Sequence, residues 1–425
     1  MLKTLVNAFK IAEIRKKLLT TLMLILIYRL GCFIPIPGVN AGYIGQMVGQ
    51  YDALGFLNLL SGGGFKNFTI FAMGISPYIT SSIIMQLLQI GIPALERMAK
   101  EEDGRKKLQE VTRYVGIGFA LVESVGIVLS LGSGAVYEAN LFTYAAIGII
   151  ATGGTAFLMW LGERITENGI GNGVSMIIFA SIVSQIPTSA ITIFGNIRDG
   201  AISLWSLPLM LLLIVAIITL VVYINEGVRR VPVQYAKRVV GRKLYGGQST
   251  HIPMKANANG VMPLIFTMTI MQLPLMIIQI VDKNYQQGIL QGFTAFYVKY
   301  LQQGTVVYYI FYALLIVGFA YFYTTISFNP IEMSKNLQQY GGFIPGIRPG
   351  KPTSDYLARI SSRLTLFGAL FLAVIAIIPN LFLGALSIKS PFGPTSVLIM
   401  VSVALETMEQ LQNQMLMRHY KGFLN

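Results

Sequence analysis

The stretch FLNLLSGGGFKNFTIF, residues 56–71, decides how this chain is read. It is apolar enough for a membrane, yet three successive glycines and a lysine interrupt it, and it leads into the apolar run FAMGISPYITSSIIMQLL (71–88). Phe56, Leu57, Leu59 and Leu60 make a helix too brief to cross a bilayer, which takes about 20 apolar residues. Gly62, Gly63 and Gly64 follow as a hinge with almost no steric preference. Non-helical backbone at membrane depth is tolerated only where it is buried in protein or lines a cavity. The stretch therefore reads as a re-entrant piece, either a fixed structural loop or a movable element, in front of a span that begins near Ala72.

The rest of the chain agrees with a membrane setting. Hydrophobic residues make up 54% and charged ones 12%, and the mean hydropathy is +0.63, far outside soluble usage. Ten apolar runs of spanning length fall at 18–36, 72–92, 114–132, 142–161, 173–190, 206–224, 261–281, 306–327, 364–384 and 393–414. The first follows a charged leader without a small-residue cleavage pattern, so it reads as a retained helix. Cys32 is the only cysteine, which excludes an intrachain disulfide.

Charge gives the orientation. With the N-terminus inside, 26 of the 32 Lys and Arg residues lie in inner segments, 5 in outer ones, and Arg29 lies within a span. Cytoplasmic loops retain Lys and Arg, so both termini are expected to be cytoplasmic. The leader, residues 1–17, places Leu2, Leu5, Val6, Phe9 and Ala12 on one helical face, the pattern of an amphipathic helix on the inner surface.

Two inner loops carry most of the information. In residues 225–260, Val231, Val233 and Tyr235 alternate in a strand-like stretch, Gly241-Arg242 can turn and Lys243 to Tyr245 can return, so a basic hairpin is expected. Its Lys and Arg residues suit phosphate or an acidic protein, and a loop that served only topology could be far shorter. The loop 328–360 is dense in Gly and Pro around Arg348, spacing that presents one guanidinium at a tip. A third inner stretch, 91–114, is nearly charge-balanced.

At this point the residues resemble the SecY/Sec61-alpha family of protein-conducting channels. The resemblance runs through FIPIPGV (33–39), the SGGG segment with the run after it, DGRKKLQEVTRY (103–114), GIGNGVSMIIFASIV (169–183), YAKRVVGRKLYGGQSTHIPMK (235–255), NPIEMSKNL (329–337), GGFIPGIRPGKPT (341–353) and RLTLFGALF (363–371). It implies an all-α polytopic membrane protein, with ten transmembrane helices in two inverted five-helix halves around an hourglass pore. The N-terminal half would be 18–190, an external hinge 191–205, the C-terminal half 206–414 and a cytoplasmic tail 415–425. The sequence itself shows no convincing echo between the halves.

The resemblance also implies the work. Unfolded polypeptides would cross the bacterial cytoplasmic membrane, and hydrophobic segments would leave sideways into lipid. Residues about 56–70 would be a plug. A ring of bulky apolar side chains would seal the pore by dewetting, at Ile79, Ile83, Ile178, Ile182, Ile265 and Ile399. A lateral gate between the second and seventh spans would carry Ser82, Gln86, Gln89, Thr267, Thr269 and Gln272, with hydrogen bonds bridging the seam. Lys237, Arg238, Arg242, Lys243 and Arg348 would dock the ribosome or the SecA ATPase. SecE, and SecG beside it, would be small partner subunits, with signal-bearing substrates and membrane lipids as further partners.

Two rival classes were open from the residues alone. Glu123 in the third span and Glu406 near the inner end of the tenth fit an ion-coupled transporter of a small solute, with Glu409 nearby. An intramembrane enzyme has little to recommend it: His251 and His419 are the only histidines, they form no HExxH pair, and no catalytic carboxylate pair or nucleophile motif stands out. No metal or organic cofactor is expected. Nor is there a P-loop, so energy would come from a partner.

Overall fold

The computed structural model describes residues 2–421 except 51, 201, 202, 204, 236, 237, 241, 242, 246–248, 282–290, 302, 303 and 386–392. The chain opens with α1 (Leu2–Lys10) and α2 (Ala12–Gly31), which meet at Ile11. The leader is thus not one helix to residue 17. Ala12 starts the first span, because Ile11 is extended with φ of −88° and ψ of 112°. Ala8 and Ile14 pack with Ile170 and Leu411, while Val6 and Phe9 stay exposed.

Next come α3 (Ala41–Gln50), α4 (Asp52–Leu60) and α5 (Ser76–Gly91), with turns filling the interval from Ser61 to Ile75. The second span therefore begins at Ser76, four residues beyond the expected Ala72. Gly74 in the left-handed region at φ of 58° delays it, and Pro77 sits in the first turn, where its missing N–H costs nothing. A 105° bend leads into α6 (Pro93–Lys100).

The long helices α7 (Glu102–Leu131), α8 (Leu141–Asn168) and α9 (Gly173–Arg198) complete the first half. The second half holds α10 (Ser206–Asn225), α11 (Met262–Val281), the short α12 (Gln291–Phe296), α13 (Val306–Ser327), α14 (Pro330–Gln339), α15 (Lys351–Ala385) and α16 (Pro394–Lys421). Six helices are long and apolar enough by themselves to cross a membrane, and the bent pair α5 and α6 makes a seventh. The charged α2, the Pro274-containing α11 and the polar-ended α16 complete ten spans.

The packing repeats. In the first half α5 lies against α7, α7 against α8, α8 against α9, and α2 against both α8 and α9. In the second half α11 lies against α13, α13 against α15, α15 against α16, and α10 against both α15 and α16. The two patterns superpose if α2, α5, α7, α8 and α9 correspond to α10, α11, α13, α15 and α16. Five is odd, so the second half runs through the membrane in the opposite sense. The halves meet along two seams: α5 and α7 against α11, and α9 against α16.

On the inner side, β1 (Val228–Tyr235) pairs antiparallel with β4 (Ser249–Lys255), not with residues 243–245. Those residues form β3 (Lys243–Tyr245), which pairs with β2 (Arg238–Val240) as a small tip, with Val240 opposite Lys243. On its other edge β1 takes up β5 (Gly342–Phe343) from the second long loop. Both inner loops thus fold as one object around Val231, Val233, Met254, Leu337, Ile344, Leu357 and Ile360. Alternating burial along β1 was legible in the sequence; the non-local partner β5 was not.

Candidate functional site

Six isoleucines from four spans share one buried cluster. Ile79 and Ile83 stack on one face of α5 and Ile178 and Ile182 on one face of α9, as the i, i+4 spacing requires; Ile265 comes from α11 and Ile399 from α16. All belong to one contiguous buried cluster, and none is more than 5% exposed. Leu59 and Leu60, at the end of α4, join the same cluster. The six isoleucines are therefore buried together, and the end of α4 packs into the same cluster.

The segment containing α4 is built from its glycines. Gly62 adopts φ of 62° and its N–H donates to Leu59 O, while the Gly63 N–H donates to Asn58 O. This is the Schellman arrangement that ends a helix on a left-handed residue. The triplet is thus a structured cap, where the sequence suggested a loose hinge. A Cβ on Gly62 would stand 2.7 Å from Arg29 Nη1 and 3.2 Å from Ser181 Cα.

Beyond the cap the chain is stitched to the segment after α2. The Ile70 N–H donates to Ile34 O, the Ile36 N–H to Phe68 O, and Pro35 bridges Thr69. Phe68 itself takes φ of 42°, unusual for a bulky side chain, and is held there by that pairing. Leu57, Phe65 and Phe68 fill a second cluster with Ile36, Val39, Ile44, Val136 and Ile147. From behind, α8 approaches so closely that a Cβ on Gly154 would lie 1.8 Å from Ile70 O. The Phe56 side chain lies outside the described residues.

Side chains of α2 and α9 complete the seat. Arg29 Nη1 donates to Gly62 O at 2.9 Å and Gln185 Nε2 to Asn58 O at 3.1 Å. Tyr28 and Ser181 join α2 to α9 through a 2.6 Å bond between hydroxyls. The Arg29 guanidinium faces the carbonyl end of α4, the negative end of its dipole, and its other side lies 5.6 Å from the Phe33 ring centroid. The sequence placed Arg29 within a span without a partner for it and gave no role to Tyr28, Ser181, Ser184 or Gln185. The available signal was SIVSQ (181–185), where polar residues interleave with the face that carries Ile178 and Ile182.

The seam between α5 and α11 is different. Thr267 donates to Pro263 O and Thr269 to Ile265 O, each a bond within α11, and Gln86 Nε2 donates to Ser82 Oγ within α5. Among the described residues no hydrogen bond joins Ser82, Gln86 or Gln89 to Thr267, Thr269 or Gln272. For the two threonines the reason is that a threonine hydroxyl in a helix can donate to the carbonyl one turn back. Gln86 Oε1 is even buried without a partner.

Of the basic docking candidates, Arg348 is exposed in the turn before α15. The side chains of Arg238 and Lys243, and all of Lys237 and Arg242, lie outside the described residues. Glu409 forms an ion pair with Lys255 at the foot of β4. Glu123 is buried in α7 with Oε1 unpartnered, whereas Glu406 is exposed on α16, so the two make no paired carboxylate site. Among the described residues no group of His, Cys, Asp and Glu could hold a metal ion.

Ten spans in two inversely oriented halves, with a short capped helix packed into the apolar cluster where they meet, define a polytopic membrane protein of the channel class. The chain belongs to the SecY family, whose pattern it matches over residues 69–408. It is 43% identical to the protein translocase subunit SecY of Halalkalibacterium halodurans and 42% identical to that of Streptomyces coelicolor, in each case over 100% of both chains. Among solved structures it resembles a protein-conducting channel at a TM-score of 0.68 and 19% identity, covering 94% of this chain and 92% of that one. Two more cover the same shares. One, at a TM-score of 0.66 and 19% identity, is of a SecY protein whose plug domain stabilises the closed state of the translocation channel. The other is Sec61 in a canine ribosome-channel complex, at a TM-score of 0.61 and 18% identity.

Proposed function

We propose that this chain, a protein-conducting channel of the SecY family, is kept shut by the isoleucine ring and by residues 56–70 acting as the plug beneath it. An arriving polypeptide parts the ring, displaces the plug outward, and either crosses the membrane or leaves sideways between α5 and α11. The observation that carries this reading is the single buried cluster shared by Ile79, Ile83, Ile178, Ile182, Ile265 and Ile399 with Leu59 and Leu60. A ring of isoleucines sorts nothing by sequence, which suits a pore for unrelated chains.

The seam supports lateral exit. A hydrophobic signal segment gains about 0.3 to 0.6 kcal/mol for each Leu or Phe placed in lipid, and no polar bond across the named gate residues opposes it. Membrane orientation follows the positive-inside bias, with both termini and both long loops in the cytoplasm. The sheet β4–β1–β5 then presents the β2–β3 tip and Arg348 to cytoplasmic partners, the ribosome and the SecA motor, while SecE and SecG accompany the channel. Phosphate-rich or acidic partners bound to such a basic surface should dissociate as salt rises.

The test is reconstitution of the purified chain with SecE and SecA in vesicles, scoring protease protection of a presecretory protein. ATP-dependent protection is expected. Its absence under conditions where a known channel works would sink the reading.

A further inference from the structure

The polar groups that reach the plug helix from α2 and α9 grip its main chain. Three carbonyls at the C-terminal end of α4 face those helices: Asn58 O takes Gln185 Nε2 at 3.1 Å, Gly62 O takes Arg29 Nη1 at 2.9 Å, and Ser61 O takes Cys32 Sγ at 3.5 Å. Ser184 Oγ also approaches Gly62 O at 3.5 Å but spends its better bond, 2.7 Å, on Ser181 O. The two gripping helices are themselves tied. Ser181 donates its one proton to Ile177 O, so Tyr28 is the donor in the 2.6 Å bond between their hydroxyls.

Resting on the plug assignment above, we propose that Arg29 and Gln185 are positioning residues of a two-sided polar latch that holds the plug closed and releases it when the ring is forced. The chemistry fits the place. A guanidinium within a span is costly unless it finds polar partners, and here it meets the carbonyl end of α4, where positive charge is favoured. Gripping carbonyls makes the latch indifferent to plug side chains, apart from the requirement that residue 62 be glycine. The release is built into α9: Ile178 and Ile182 of the ring lie within two turns of Gln185 on the same helix. A polypeptide that pushes α9 outward at the ring draws Gln185 away from Asn58 and strains the Tyr28–Ser181 tie, which loosens both jaws together.

Cys32 supplies the readout, since it is the sole cysteine, is 4% exposed and lies against Ser61 O. In phosphatidylethanolamine and phosphatidylglycerol vesicles holding the full chain with SecE, we would measure resting ion conductance and the rate of Cys32 alkylation by a maleimide. Arg29→Met should raise both about tenfold, the weight of one charge-assisted hydrogen bond. Gln185→Leu should raise both several-fold, and Arg29→Lys should fall between the parent and Arg29→Met. Deletion of residues 57–67 gives the unplugged limit.

If Arg29→Met raises alkylation while Gln185→Leu does not, the effect is local distortion of α2 and the latch is wrong. If neither variant changes either signal while the deletion raises both, the latch is wrong and the plug stands. If the deletion also changes nothing, the plug assignment itself fails, and the latch with it.

Discussion

The seat of the proposed plug and the seam between α5 and α11 are both packed contacts, but they are held by different means. At the seat, Arg29 and Gln185 hold main-chain carbonyls, Pro35 and Thr69 pair as strands do, and aromatic side chains fill the outer cluster. At the seam, Thr267, Thr269 and the Gln86–Ser82 pair bond within their own helices, and Gln86 leaves an amide oxygen buried and unpaired. The seat is held by polar bonds between elements, whereas among the described residues none joins the named gate residues across the seam. A helix pair whose hydroxyls are internally satisfied can separate into lipid without losing hydrogen bonds, whereas the plug cannot leave without breaking several. Among the described residues, parting the named gate residues breaks no hydrogen bond between α5 and α11, whereas unseating α4 breaks those of Arg29 and Gln185.

The contrast can be broken most forcefully at Gly62. Valine there would have to hold a left-handed backbone, at a cost of about 1 to 2 kcal/mol, and would also meet Arg29 and Ser181. The expected result is a folded channel that leaks ions at rest, checked by conductance together with unchanged detergent melting of the spans. At the seam, Gln86→Leu removes the orphaned oxygen and should stabilise the closed form by about 1 kcal/mol. Export of proteins with weakly hydrophobic signals should fall while strong signals are unaffected, which a panel of graded signals would read. The smallest effect belongs to Thr267→Val, since that hydroxyl bonds only within α11. We expect less than about 0.5 kcal/mol, because an internally satisfied bond offers little net stability. A large change in signal selectivity would mean that Thr267 bonds across the seam after all.

Much of the architecture was legible in the sequence because membrane spans must be apolar over a fixed length. All ten runs correspond to helices, and their errors are physical. The second span starts at Ser76 because Gly74 turns the chain first. The leader breaks at Ile11, which periodicity in a short charged helix could not foresee. The inverted repeat was invisible, because lipid-facing surfaces accept any apolar residue and leave no shared pattern; it emerges only from which helices touch. The ring isoleucines were equally hidden among the isoleucines of the spans and were picked out by family resemblance alone. The latch was missed because a glutamine or serine in a span resembles ordinary helix-to-helix glue. The strand β5 was missed because its partner lies in another loop, over a hundred residues back in the chain.

The Gln185–Asn58 contact also has a consequence for how the protein is made. It joins residues 127 positions apart, and α2 precedes the plug while α9 follows it at the end of the first half. A growing chain enters the membrane from its N-terminus, so Arg29 is in place as the proposed plug emerges, and Gln185 arrives only after α5 to α8 have been synthesised. The stopper is therefore half-seated throughout that interval. It becomes secure at the moment the first half is finished, before any residue of α11 or α16 exists to complete a pore that could leak.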